Sequence, residues 1–73
     1  QDALIQEGLG VFASRSEQWQ DAKTHFEAAL KALSEKGLAK ARLYRHLGLV
    51  WQALGDDHRA LQYFVQAQAL ATH

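Results

Sequence analysis

Leu4, Ile5, Leu9 and Phe12 recur at the three- and four-residue steps that lay apolar side chains along one face of a helix. The polar run Ser14-Arg15-Ser16 interrupts that stripe. Ser16 is of a type whose hydroxyl accepts from the free amides of a new first turn, so a second helix is predicted to begin there. Trp19, Ala22, Phe26, Ala29, Leu30 and Leu33 form its stripe. Gly37 is placed to end it, because a left-handed cap costs glycine no clash, and Lys36 suits the negative end of the helix dipole. A third stripe, Leu43, Leu47, Val50 and Leu54, stops at Gly55. Asp56 is then a good N-cap for a fourth helix carrying Ala60, Phe64, Ala67 and Leu70. No segment alternates with period two, so an all-α fold is predicted. The helices should span roughly 2–14, 17–35, 38–54 and 57–71. Leu9, Phe26, Leu47, Trp51, Ala60 and Phe64 are the expected core.

Shifting the chain against itself by 38 residues aligns Leu9-Gly10 with Leu47-Gly48, Ala22 with Ala60, Phe26 with Phe64 and Ala29 with Ala67. Packing explains the pattern. A Gly or Ala at a helix crossing lets two backbones approach, and the large ring four residues from the small one fills the adjoining hollow. An internal period of this size, built from two helices, is the mark of a helical solenoid.

With these residues in place the chain resembles the tetratricopeptide repeat family, in two units of about 3–36 and 41–73 within one domain, 1–73. The second unit is closer, with Leu47-Gly48, Trp51 in a place usually held by Tyr, Gly55-Asp56, Ala60, Tyr63-Phe64, Ala67 and Leu70. The first keeps Leu9-Gly10, Trp19, Ala22, Phe26, Ala29 and Leu30. It departs at Ala13, where a large aromatic is usual, and at Glu17, where the turn glycine is usual. Neither unit has the family's closing proline. The spacing of 38 exceeds the usual ~34, which points to a second helix one turn longer. The resemblance implies four helices forming two antiparallel hairpins, stacked as a right-handed α-solenoid fragment.

Composition narrows the reading. The chain is 48% hydrophobic and 22% charged, with no Pro, which suits a compact helical domain and not a disordered tail. With 73 residues its core is thin, and without Cys neither disulfides nor thiolate metal sites supplement it. The absence of Cys leaves the redox compartment open; a cytoplasmic setting is the expectation. No apolar run is long enough to cross a membrane, and no membrane role is expected. The chain reads as a piece of a longer protein.

Zero net charge argues against a nucleic-acid binder held by phosphate contacts. The charge is uneven, however. Lys36, Lys40, Arg42 and Arg45 fall between residues 36 and 55 with no acid among them. The four His residues, His25, His46, His58 and His73, are never three or four apart, so no helical metal-ligand pair forms. Gly8 and Gly10 lie inside a helix with no strand before them, unlike a phosphate-binding loop. The few hydroxyls make no distinctive nucleophile–base set, and Asp56-Asp57 reads as a turn and cap. No catalytic, cofactor or metal site is expected, and the chain is not read as an enzyme.

The resemblance implies a scaffold for protein–protein interaction, with the first helix of each unit lining a concave groove for a partner's peptide or helix. Mapped onto this chain, the groove holds Leu4, Glu7, Val11 and Ser14, then Arg42, Arg45, His46, Leu49 and Gln52. Helical arithmetic agrees in part: 42, 45, 46, 49 and 52 share one face, opposite apolar 43, 47, 50 and 54. Arg forms bidentate hydrogen bonds with carboxylates, so an acidic, partly apolar protein ligand is the expectation. A chaperone-tail ligand is not expected, because Glu7 and Val11 stand where the family's carboxylate-gripping Lys and Asn would be.

A structural or self-association role is the alternative, a nucleic-acid-contacting unit comes third and an enzyme last. Two repeats are fewer than solenoids usually need. The fourth helix, with Leu61, Val65 and Ala69 among its apolar residues, is expected to need cover. That cover is either the next helix of a longer array or a second copy in a two-fold dimer.

Overall fold

The computed structural model describes residues 3–33 and 38–71. Four helices account for nearly all of them: α1 (Ala3–Arg15), α2 (Trp19–Ala32), α3 (Leu38–Ala53) and α4 (Asp57–Ala71). The described residues contain no strand. The chain pairs α1 with α2 and α3 with α4 as hairpins, and stacks them chiefly through α2 against α3.

Both hairpin turns use the same hydrogen bonds, 38 residues apart. The amide of Gln18 donates to the Ala13 carbonyl at 2.8 Å and that of Glu17 to Ser14 at 3.0 Å. In the second hairpin Asp56 donates to Trp51 at 2.9 Å and Gly55 to Gln52 at 3.1 Å. This is the Schellman closure, which satisfies the last carbonyls of a helix and needs one left-handed residue. That residue is Gly55 at φ +93° in the second turn and Glu17 at φ +60° in the first.

Each hairpin is then locked by a ring on a glycine. A Cβ added to Gly10 would lie 2.6 Å from the Phe26 ring, and one added to Gly48 2.6 Å from the Phe64 ring. No real Cβ contact is so short, so glycine is required for this approach. The core runs through both hairpins, joining Ala13, Ala22, Phe26 and Ala29 of the first to Leu43, Leu47 and Val50 of the second.

Several sequence expectations are corrected. Leu9 is 43% exposed and not a core residue, because its stripe on α1 faces away from α2, on a side that no helix of the described residues covers. Trp51 and Phe64 are half-buried, while Phe26, Leu47 and Ala60 are buried as expected. Ser16 does not cap α2; it lies inside the Schellman turn, its amide bonded to Phe12 and Ala13. The N-cap is Gln18, which makes no side-chain cap hydrogen bond. Nor is α2 a turn longer, since Leu33 is already extended at its C-cap. Gly37 as a cap lies outside the described residues, as do Lys36 and His73. Asp56 caps α4 as expected, its Oδ1 accepting from the amide of Arg59 at 3.1 Å.

Candidate functional site

Stacking the hairpins brings the faces of α1 and α3 together around Glu7. Its carboxylate is nearly buried, and Arg42 approaches it as a fork, Nε donating to Oε2 at 2.5 Å and a terminal nitrogen to Oε1 at 3.0 Å. His46, one turn further along α3, sets Nε2 3.5 Å from the same Oε2. The opposite purpose of that imidazole is packing, for it stacks on Phe26 of α2 with centroids 4.8 Å apart and planes within 4°. A second link ties α1 to α2, where Nδ1–H of His25 donates to Gln6 Oε1 at 2.9 Å. Glu7, Arg42, His46 and Phe26 thus join three helices.

The charges adjust accordingly. The hydrogen bonds from Arg42 hold the Glu7 carboxyl below the usual carboxylate range, against the opposing pull of burial. His46 is shifted the other way from what an acid neighbour would suggest. Burial against Phe26 lowers it, outweighing the attraction of Glu7. Arg42 is held more firmly protonated by its bonds to Glu7.

This pairing was not foreseen, and it changes the electrostatics of the expected groove. Arg42 is matched within the chain, and Glu7 is turned to that guanidinium instead of standing as a free negative charge. Arg45 makes no ion pair among the described residues. Leu49, one turn on, is 51% exposed, Gln52 is exposed, and Val11 on α1 is half-buried against the core. One sign of the pair was present in the sequence: Glu7 is the sole acid of α1, and Arg42 lies early on the helix that packs beside it.

Trp51 also carries contacts that spacing did not reveal. Its ring lies between Lys23 of α2 and Arg59 of α4, each cation 5.0 Å from the ring centre, the distance of a cation–π contact. On α4, Leu61 and Val65 are each more than half exposed, and Ala69 is exposed one turn beyond.

A family model for the tetratricopeptide repeat matches residues 1–73. The chain belongs to the tetratricopeptide repeat family. No curated protein and no solved structure matches it. The paired helices, the glycine–phenylalanine crossings and the repeated Schellman turns are how this tetratricopeptide repeat chain builds its two units. Repeats of this family serve as scaffolds for protein–protein interaction. Among the described residues no three His, Asp or Glu side chains converge as a metal ion would need, and no helix is long and apolar enough to cross a membrane.

Proposed function

We propose that the chain binds a segment of a partner protein, a peptide or a helix, in the groove formed by α1 and α3, and that the segment is acidic and partly apolar. The observation that carries this reading is an unpaired cation beside an exposed apolar side chain, Arg45 next to Leu49, on the face shared with Arg42, His46 and Gln52. Val11 and Glu7 form the opposite wall. A carboxylate of the ligand meets Arg45, whose planar fork suits it, and an apolar side chain covers Leu49. Glu7 holds Arg42 in place and lowers the total positive charge of the groove. The reading is therefore of one acidic contact, not a run of them. No catalytic step is part of it.

Peptides selected from a random display library on the purified chain test the reading. The selected sequences should be enriched in Asp or Glu three or four residues from an apolar side chain. Arg45→Glu should weaken their binding about tenfold or more while leaving the helical circular dichroism unchanged. Selected peptides without acidic enrichment, or binding indifferent to Arg45→Glu, would overturn it.

The stripe Leu61, Val65 and Ala69 supports a second reading, self-association through the outer face of α4. The 38-residue shift sets these against Lys23, Glu27 and Lys31 on α2, a charged surface in the same place. An apolar stripe where the sister helix is charged suits a contact. Sedimentation of Leu61→Lys/Val65→Lys tests it, since loss of a dimer seen with the parent chain supports it and an unchanged dimer contradicts it.

A further inference from the structure

The internal repeat supplies a template for what covers the two ends of the stack. Within the chain, α3 docks on the first hairpin by burying Leu43, Leu47 and Val50, all fully buried, against a surface that includes Phe26 and Ala29. Thirty-eight residues earlier the same three places on α1 hold Ile5, Leu9 and Phe12. These are 59%, 43% and 68% exposed. The strip that α3 uses for docking is thus present on α1 and uncovered among the described residues.

The receiving surface recurs as well. Phe26 and Ala29 become Phe64 and Ala67 on α4, with Phe64 seated on Gly48 at the same spacing as Phe26 on Gly10. Phe26 is buried beneath His46, whereas Phe64 is only half-buried and borders an open cleft of about 410 Å³ lined also by Ala41, Arg45, Ala67 and Ala71. One face of the chain carries the docking strip and the opposite face the seat for it.

We infer that two copies of this chain associate head to tail, the Ile5–Leu9–Phe12 strip of one seating in the α3–α4 cleft of the next. The contact continues the α2–α3 interface already present inside each chain. It is argued without the groove reading and uses neither Leu61 nor Val65, but the cleft it fills is bordered by Arg45, so a second copy seated there competes with an acidic ligand for that side chain. Volume is redistributed in the new contact. His46 over Phe26 becomes Gly8 over Phe64, and Val50 becomes the larger Phe12 one turn further on. The ion pair does not recur, because Glu7 is replaced by Arg45 and Arg42 by Leu4. The association is apolar, so added salt leaves it unchanged or strengthens it. A heterologous contact of this kind does not close on itself after two copies.

Sedimentation equilibrium on the 73-residue chain provides the test. With rising concentration the average mass should climb from 8.2 kDa past that of a dimer, at low and at high salt alike. Phe12→Lys should weaken association more than about tenfold. Gln68→Lys/Ala71→Lys, two exposed positions bordering the cleft, should do the same, both variants keeping the parent circular dichroism and melting temperature. Mixing them is decisive: each retains one sound face, so the mixture should form a one-to-one dimer that neither forms alone. A chain that stays monomeric to high concentration overturns the inference. So does association that stops at a dimer and survives Phe12→Lys, which would favour the α4 stripe, or a mixture that remains monomeric.

Discussion

The two hairpins are built on one plan, and they differ most at their turns. At the second turn the sequence supplies Gly55 for the left-handed residue and Asp56 for the N-cap, and both are used. At the first, the same two places hold Glu17 and Gln18. Glu17 adopts φ +60°, a conformation that costs a residue with a Cβ about 1 kcal/mol, and Gln18 makes no cap hydrogen bond. The backbone nevertheless closes with the same pair of bonds. Tertiary packing around Phe26 therefore sets the first turn, whereas local chemistry agrees with packing at the second. The first hairpin is strong in its core and weak at its turn; the second is the reverse, with an ideal turn and a half-open ring.

The largest effect that sharpens this contrast lies in the two phenylalanines. Phe26→Ala should cost about 3–5 kcal/mol because the ring is fully buried. Phe64→Ala should cost roughly half as much, its ring being only half-buried. Urea denaturation at a concentration where the chain is monomeric measures both, and equal losses would break the contrast. The glycines beneath the rings come next. Gly10→Ala forces a methyl into a ring that has nowhere to go, at a net cost of about 1–2 kcal/mol after the gain in helix propensity. Gly48→Ala should cost less, since Phe64 can swing toward the open cleft.

At the turns the sign reverses. Glu17→Gly should raise stability by about 0.5–1 kcal/mol, relief of strain exceeding the added freedom of the unfolded chain. Gln18→Asp should add about the same by supplying a cap. Thermal melts of the single and double variants check this. The corresponding change at the second turn, Gly55→Glu, should destabilise by a similar amount.

The acid response is smaller and comes in two windows. Both Glu7 and His46 titrate lower in the folded chain than when unfolded. The unfolded state therefore binds more protons in each window, and stability falls as pH falls. For His46 the loss begins as pH drops through its unfolded value near 6.5 and is complete below its depressed folded value. For Glu7 the stabilisation is present above about 4.5 and is lost as pH falls through the folded value. Glu7→Gln should remove the lower window and cost about 1 kcal/mol at neutral pH, a modest amount because Arg42 remains in contact with water. Urea midpoints measured from pH 8 to 3 distinguish the windows.

Much of the fold was legible because helix period, small-residue crossings and the 38-residue shift all point the same way. Phe26, Leu47 and Ala60 were found by period alone. Leu9 was not separated from Leu47, although they occupy the same place in each repeat, because period locates a stripe without saying whether a neighbour covers it. Ser16 reads as a cap by residue type, but it lies within a Schellman turn that Glu17 does not advertise, and the N-cap falls two residues later at Gln18. The Glu7–Arg42 pair spans 35 residues, and only the packing of α3 beside α1 makes those two charges neighbours. The face carrying Arg45 and Leu49 was readable from helical arithmetic; its reduced positive charge was not.

The most direct test of the groove is a map of amide chemical-shift changes when a display-selected acidic peptide is titrated into the labelled chain. The account expects the largest changes at Val11, Arg45, Leu49 and Gln52, all weakened in parallel by Arg45→Glu. Changes centred instead on Leu61, Val65 and Ala69, with the α1 and α3 faces silent, would contradict it.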